Sequence, residues 1–403
     1  MGDATQLHRC VIAGSVMNRF TIKGWCPSVY RPMLSGDGLV VRVRARAGWL
    51  SAVQANGIAD LAARYGNGLI DLTGRANLQI RGVSAAHHPA LLDNLAQLGL
   101  IDADEECEAQ RNLVVAPFWA EGDDTHLLAT ELERALATRH LRLPSKFGFA
   151  IDCGPTRALA RTPADIRIEC GREGGLIVLA DGAEQGRTVE RSEAVATALS
   201  LAEWFVASGG ATEGRGRMAS HLAGGAYLPE MLAGTARPAP AMAMPSPGLR
   251  DDGALVGFAF GQMQGETLNF LAGMANGLRL TPWRMVLIEG LRQMPQHGGL
   301  VTEAGDPILR VAACTGAPAC PQAYAETRVL AAALAPSLAN DTRLHVSGCA
   351  KGCAHPGASS ITLVGTAGGF DLVRDGCTRD IPAARGLDPA AIAADPATLW
   401  RMG

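Results

Sequence analysis

Two stretches of this 403-residue chain repeat one another in the same order, and that restricts the possible folds more than composition does. Asn67-Gly68-Leu69 stand eight residues before Arg75, with Leu78 three further on; Asn276-Gly277-Leu278 stand in the same relation to Arg284 and Leu287, at an offset of 209. Gly171, Gly174, Gly175, Asp181 and Gly182 return as Gly365, Gly368, Gly369, Asp375 and Gly376, at an offset of 194. Glycine is common here, so one echo could be chance. Two in order indicate a duplicated two-module unit. The first module of each copy reads as a strand (39–43; 254–260) followed by a helix (51–65; 266–275). The second reads as a Leu- and Ala-rich helix (127–139; 323–334) followed by a strand hairpin. Such an order predicts α+β modules with mixed sheets rather than a doubly wound sheet. The expected boundaries are 1–100, 105–235, 249–305 and 306–403, with 236–248 as a linker because Pro238, Pro240, Pro245 and Pro247 exclude a helix or central strand.

Charge removes several function classes. Lys+Arg 36 against Asp+Glu 39 gives a formal charge of −3, so no global field draws the chain to nucleic acid or an anionic membrane, and 5% aromatics offer little surface for base stacking. The apolar run 329–339 is about half the length of a bilayer-spanning helix. Asp3 stands where a signal peptide carries positive charge and Gln6 where myristoylation needs Ser or Thr, which predicts a cytoplasmic protein. The glycines at 209, 210, 214 and 216 have the wrong spacing for a dinucleotide-binding turn. Among the basic residues only Lys23, Lys146 and Lys351 are lysines, so a movable point charge has been kept at few places.

Ten cysteines occur, of which six are scattered and read as small buried hydrophobes. Cys314 and Cys320 form a C-x5-C pair and Cys349 and Cys353 a C-x3-C pair. Without an export signal, four such thiols point to metal rather than to disulfides. The alternatives are structural zinc and a [4Fe–4S] cluster. The five-residue gap fits zinc knuckles poorly, and Gly316, Ala317, Gly348 and Gly352 leave backbone N–H groups free to reach sulfur, which favours the cluster.

A second constellation is basic. Arg42, Arg44 and Arg46 alternate with Val41 and Val43, and Thr73, Arg75, Gln79 and Arg81 fall on one strand face at period two. Ungapped alternation of donors beside a Gly-rich approach suits a large polyanion; the competing reading is a solvated strand face. Arg111 and Lys146 add two further cations.

Together these residues resemble the nitrite/sulfite reductase superfamily, over nearly the whole chain. The resemblance implies a duplicated architecture of two ferredoxin-like half-domains (1–100 and 249–305) and two larger α+β modules (105–235 and 306–403), the last binding a [4Fe–4S] cluster through Cys314, Cys320, Cys349 and Cys353. It implies that Thr73, Arg75 and Gln79 grip a tetrapyrrole, that Arg44 and Arg111 are substrate-side arginines, and that Lys146 is the first lysine of a K-x-K pair. Cys353 matches the thiolate that bridges cluster and siroheme iron in the reductases. Two departures stand out. Gly148 replaces the second lysine, removing a proton donor for oxyanion reduction. Thr281-Pro-Trp-Arg284 carries Arg where siroheme reductases usually show Gln.

The strings Gly24-Trp-Cys-Pro-Ser-Val-Tyr-Arg-Pro-Met33, Ser35-Gly-Asp-Gly38 and Ser347-Gly-Cys-Ala-Lys-Gly-Cys-Ala-His-Pro356 are similar to those of the oxygen-dependent branch of the superfamily, the precorrin-3B synthases. That resemblance implies a monooxygenase acting on precorrin-3A at C20, with γ-lactone formation, in cobalamin biosynthesis. It also implies a mononuclear non-haem iron besides the cluster, with O2 and an external donor system using NADH. A substrate with eight carboxylates needs cations converging from several segments, for which Arg75, Arg81, Arg111 and Arg284 are candidates. No two-His-one-carboxylate run supplies iron ligands; His297, His345 and His355 lie near the motifs, and His87-His88 reads as a loop. The competing functions are a siroheme nitrite or sulfite reductase, disfavoured by Gly148, and an electron-transfer protein, which leaves the arginines without purpose.

Overall fold

The structure, a computed structural model, describes residues 26–401; the readings at Asp3, Gln6, Cys10, Lys23 and Gly24-Trp25 lie outside them. The described residues divide into two compact units, one of 26–33 and 38–304, the other of 34–37 and 305–401.

The first unit contains both half-domains, and each lends the other a strand. Gly38–Val43, Leu78–Val83 and Leu69–Leu72 form an antiparallel sheet whose edge is completed by Gln262–Gln264 from the second repeat. Gly253–Gly257, Met285–Glu289 and Gly277–Leu280 form its counterpart, completed by Trp49–Ser51 from the first repeat. Both exchanged strands run into a helix, Ala52–Tyr65 and Gly265–Ala272. The earlier helix starts on a reciprocal cap in which Ser51 Oγ accepts from Gln54 N and Gln54 Oε1 accepts from Ser51 N. Exchange makes the two repeats a single core, in which Ile58, Ile70, Leu78 and Ile80 pack with Leu268, Leu271, Leu278 and Ile288, all buried.

Strand register corrects the sequence alignment of the repeats by one residue. Leu69 faces Gln264 and Gly277 faces Ser51, while Leu72 faces Leu78 and Leu280 faces Val286. The offset is thus 208, and Arg284 corresponds to Ala76 rather than to Arg75. Backbone geometry agrees: Ala76 and Arg284 both have positive φ, at 53° and 63°.

The second modules share one topology. Leu113–Val115, Phe149–Asp152, Ile166–Cys170, Leu176–Ala180 and Arg187–Val189 pair parallel, parallel, antiparallel, antiparallel. Val311–Ala313, Leu344–Ser347, Ser359–Thr366, Gly369–Gly376 and Ala384–Leu387 do the same in the other unit. The 194-residue echo falls on the two hairpins. The Pro-rich segment 236–248 is pinned by isolated bridges Gly186 to Ala236, Gly171 to Pro238 and Arg157 to Ala241, with Ala239 buried.

Several expected elements shorten. The helix expected over 323–334 occupies only Arg328–Leu334, and the strand expected to 260 ends at Gly257, before a 3-10 turn. Position 88 opens a helix, His88–Gln97, with Pro89 in its first turn. No helix among the described residues is long and apolar enough to cross a membrane.

Candidate tetrapyrrole and cluster sites

The residues expected as a basic strand face separate into two environments. Thr73–Asn77 is a turn, not strand: Thr73 N donates to Asn77 O at 2.9 Å, and Thr73 Oγ1 accepts from Arg75 N at 3.3 Å and Asn77 N at 3.2 Å. The hydroxyl holds the turn closed and swings Arg75 away from the sheet. Its guanidinium donates to Lys146 O at 3.0 Å. Gln79 does lie on the strand, directly across from Arg42. Arg42 Nε is buried with no hydrogen-bond partner.

Arg42 and Arg217 lie within electrostatic reach of Arg75. Burial pushes its guanidinium down from the ordinary range, Arg217 and Arg42 push the same way, and Cys26 and Asp165 oppose them. The second repeat comes alongside, since a Cβ on Gly74 would lie 3.9 Å from Pro282 O, in the turn that carries Arg284. A Cβ on Gly261, φ 71°, would lie 2.9 Å from Arg284 Cγ and 2.8 Å from Leu72 O, so only glycine allows that approach.

Three other arginines expected at the ligand carry buried ion pairs. Arg81 is 4% exposed and bonds Asp71 at 3.0 Å across neighbouring strands. Arg44 is buried against Glu108 at 3.0 Å; burial lowers its pKa to about 10, with Glu108 opposing. Arg111 is buried with Nε between the oxygens of Asp102, at 3.1 and 3.0 Å, and Nη1 3.5 Å from Glu133. Uncompensated guanidinium charge is too costly inside a protein, so each has acquired a carboxylate and is closed to solvent. Lys146 is exposed.

Charge and aromatic residues also line a cleft of about 1130 Å³ in the first unit, around Trp49, Phe118, Trp119, Arg250, Arg279 and Glu289. Its planar groups are already stacked: Arg279 lies 3.5 Å over the Trp119 ring and Arg250 3.7 Å over Phe118.

In the other unit the cysteines converge on adjacent loops. Gly348 N donates to Cys314 Sγ at 3.2 Å, Thr327 Oγ1 to Cys314 O at 2.7 Å, and Tyr324 N to Gly348 O at 2.8 Å. Residues 320–327 are therefore loop, stitched to both cysteine segments. Burial raises the Cys349 thiol, Lys351 opposes it, and the charges of Cys314 and Cys320 raise it further. Burial raises Cys353 too, opposed by Lys351 and reinforced by Cys314, Cys349 and Cys320. Four thiols that feel one another can ionise together only if a cation enters among them, which is the demand a metal centre meets. Small residues make the room: a Cβ on Gly348 would lie 2.6 Å from Ala323 Cβ, and one on Gly352, φ 66°, 2.8 Å from Thr378 Oγ1.

Among the described residues no group of three or more His, Cys, Asp or Glu closes to the spacing of ligands around one metal ion. The thiols fit a soft, larger cluster by donor chemistry. Among the described residues no comparable donor set gathers for the mononuclear iron: His345 and His355 approach ring to ring at 5.9 Å, and His297 stacks on Phe270. Cys377, read as a packed small hydrophobe, is buried and disulfide-bonded.

A precorrin-3B synthase of Sinorhizobium sp is 32% identical over 398 residues, covering 90% of this chain and 85% of the relative. The chain belongs to the precorrin-3B synthase family. Within the precorrin-3B synthases it keeps the marks of the wider superfamily. Residues 31–98 match the Nitrite/Sulfite reductase ferredoxin-like half domain. A ferredoxin–nitrite reductase of Synechococcus elongatus is 32% identical over 158 residues, 35% of this chain and 31% of that protein. The solved structure of the NirA protein of Mycobacterium tuberculosis superposes with a TM-score of 0.60 at 18% identity, over 84% of this chain and 75% of NirA, which establishes the shared fold. The chain is an oxidoreductase of this duplicated α+β fold.

Proposed function

We propose that the protein hydroxylates precorrin-3A at C20 and closes the γ-lactone that yields precorrin-3B. One oxygen atom of O2 enters the substrate and the other leaves as water, the two electrons coming from an external donor system that uses NADH. The supporting observation is the family membership over 90% of the chain, joined to the cations Arg42 and Arg217 within electrostatic reach of Arg75, where carboxylates would bind.

The residues divide the work. Thr73 keeps the turn closed, Arg75 and Gln79 meet carboxylates of the macrocycle from the first repeat, and Arg284 supplies a fork from the second. Lys146 is a movable cation at the mouth. Arg44, Arg81 and Arg111 hold the scaffold through buried ion pairs instead of touching substrate. Cys314, Cys320, Cys349 and Cys353 would hold a [4Fe–4S] cluster, which supplies single electrons when bound. Lys351, next to two of those thiols, offsets the charge gathered there.

Purified protein given precorrin-3A aerobically gains product with the mass of one added oxygen atom, and anaerobically does not. Turnover of sulfite or nitrite with a reduced viologen, together with a retained siroheme, is the opposite result and favours a reductase.

A further inference from the structure

We propose that Arg217, set in place by the wholly buried Asp165, is a carboxylate-binding residue of the substrate cradle. The inference rests on the tetrapyrrole reading above and adds to it a residue outside every motif that carried that reading.

Asp165 is 0% exposed, and its carboxylate joins two segments. Its Oδ2 accepts from Gly148 N at 2.9 Å, and its Oδ1 from Met218 N at 2.8 Å and from Arg217 Nε at 2.9 Å. Gly148 ends the Lys146-Phe147-Gly148 segment, on whose first carbonyl Arg75 is docked at 3.0 Å. One carboxylate thereby ties Arg217 to the loop that carries Lys146 and receives Arg75. A second acid, Asp181, acts electrostatically on both Asp165 and Arg217, and it is itself paired with Arg167 at 3.6 Å.

Arg217 is oriented for a ligand. Asp165 engages only Nε, and the Arg217 side chain has no other hydrogen bond or ion pair among the described residues. Its two terminal amino groups remain as a fork, on a side chain 33% exposed, matching the two oxygens of a carboxylate. The preceding loop is built to deliver it: Thr212 and Arg215 bond each other's backbone, and a Cβ on Gly216, φ 149°, would lie 1.9 Å from Gly210 O.

Gly148 also acquires a positive purpose. A Cβ there would sit 2.8 Å from both Asn112 Nδ2 and Asn112 O, so a lysine does not fit this packing. The cation that the K-x-K pair would supply at this position is replaced by Arg217, bound through the same backbone to the same acid.

The test uses metal-free uroporphyrin, an octacarboxylate tetrapyrrole, with binding to the full chain followed by fluorescence quenching. Arg217→Gln weakens binding about tenfold, the scale of one lost charged contact, and flattens its salt dependence, at unchanged Tm. Arg217→Lys recovers part of the affinity. Asp165→Asn weakens binding in the same direction, provided it melts as the wild type does. Wild-type affinity in Arg217→Gln, with affinity lost in Arg75→Gln, overturns the role of Arg217 and leaves the proposed function standing. No binding by the wild-type chain overturns the tetrapyrrole cradle itself.

Discussion

Arg81 donates to Asp71 at 3.0 Å in the first repeat, and the equivalent positions of the second repeat hold the opposite charges, Glu289 and Arg279, paired at 2.6 Å. In each pair the acid also accepts from the exchanged edge strand: Gln262 Nε2 donates to Asp71 at 2.9 Å and Trp49 Nε1 to Glu289 at 2.9 Å. Duplication preserved the lock while reversing its polarity. Each half-domain is thereby pinned to a strand of the other through a carboxylate, buried in Asp71 and half-buried in Glu289.

Removing one partner should therefore expose the cost of burying the other. Arg81→Met takes this cation away from the buried Asp71 and is expected to destabilise by about 3–5 kcal/mol, whereas the double variant with Asp71→Leu recovers most of that loss. Urea unfolding of the two variants measures the difference. Equal losses in both would show that packing, not charge, decides the site.

The Arg75 side chain is only a ligand contact in this account, since among the described residues its guanidinium donates to a single carbonyl, that of the exposed Lys146. Arg75→Ala is expected to raise the substrate KM at least tenfold, as loss of a charge-assisted contact would, and to leave any cluster absorbance intact. Loss of the visible cluster spectrum in that variant would make Arg75 structural.

Asp152 gives a pH dependence with a definite sign. It is 2% exposed, and burial raises its pKa from 3.8 to about 6, against the pull of the Leu159 amide and of Arg157 and Arg167. A folded pKa above the unfolded one means the native state holds the extra proton, so its stabilising contribution is full below pH 3.8 and fades as pH rises through 6. Asp152→Asn keeps the acceptor for Leu159 and is expected to flatten the decline, gaining on the order of 2–3 kcal/mol relative to wild type between pH 4 and pH 7. Thermal unfolding across that range reads it. An unchanged slope would place Asp152 in a more polar setting than its burial indicates.

Cys349 stands among the other three thiols, so Cys349→Ala is expected to abolish iron and acid-labile sulfide on anaerobic reconstitution, with Cys170→Ala as a control that retains both. Cys170 lies in the other unit, on Ile166–Cys170. Iron retained without sulfide in the wild type would favour a mononuclear site over a cluster.

What the sequence made legible was periodic or repeated. Duplication, the α+β class and the helix over 51–65 followed from spacing, because a buried face or an N-cap leaves a local mark. Local patterns could not distinguish a turn from a strand at Thr73-Gly-Arg75, where the closing bonds run from a threonine hydroxyl to two amides. Nor could they show that Arg44, Arg81 and Arg111 are neutralised, because Glu108, Asp71, Asp102 and Glu133 reach them through the fold. Arg217 was missed for the same reason: its partner Asp165 is 52 residues away, and the Gly-rich loop before it was weighed only as a nucleotide turn.

The most direct measurement is isotopic. Incubation of the reduced, anaerobically prepared protein with precorrin-3A and ¹⁸O2 is expected to yield a product heavier by one ¹⁸O atom, located at C20. A product whose new oxygen derives from water, or precorrin-3A returned unchanged by cluster-loaded protein that binds it, would contradict the assignment as an oxygen-dependent hydroxylase.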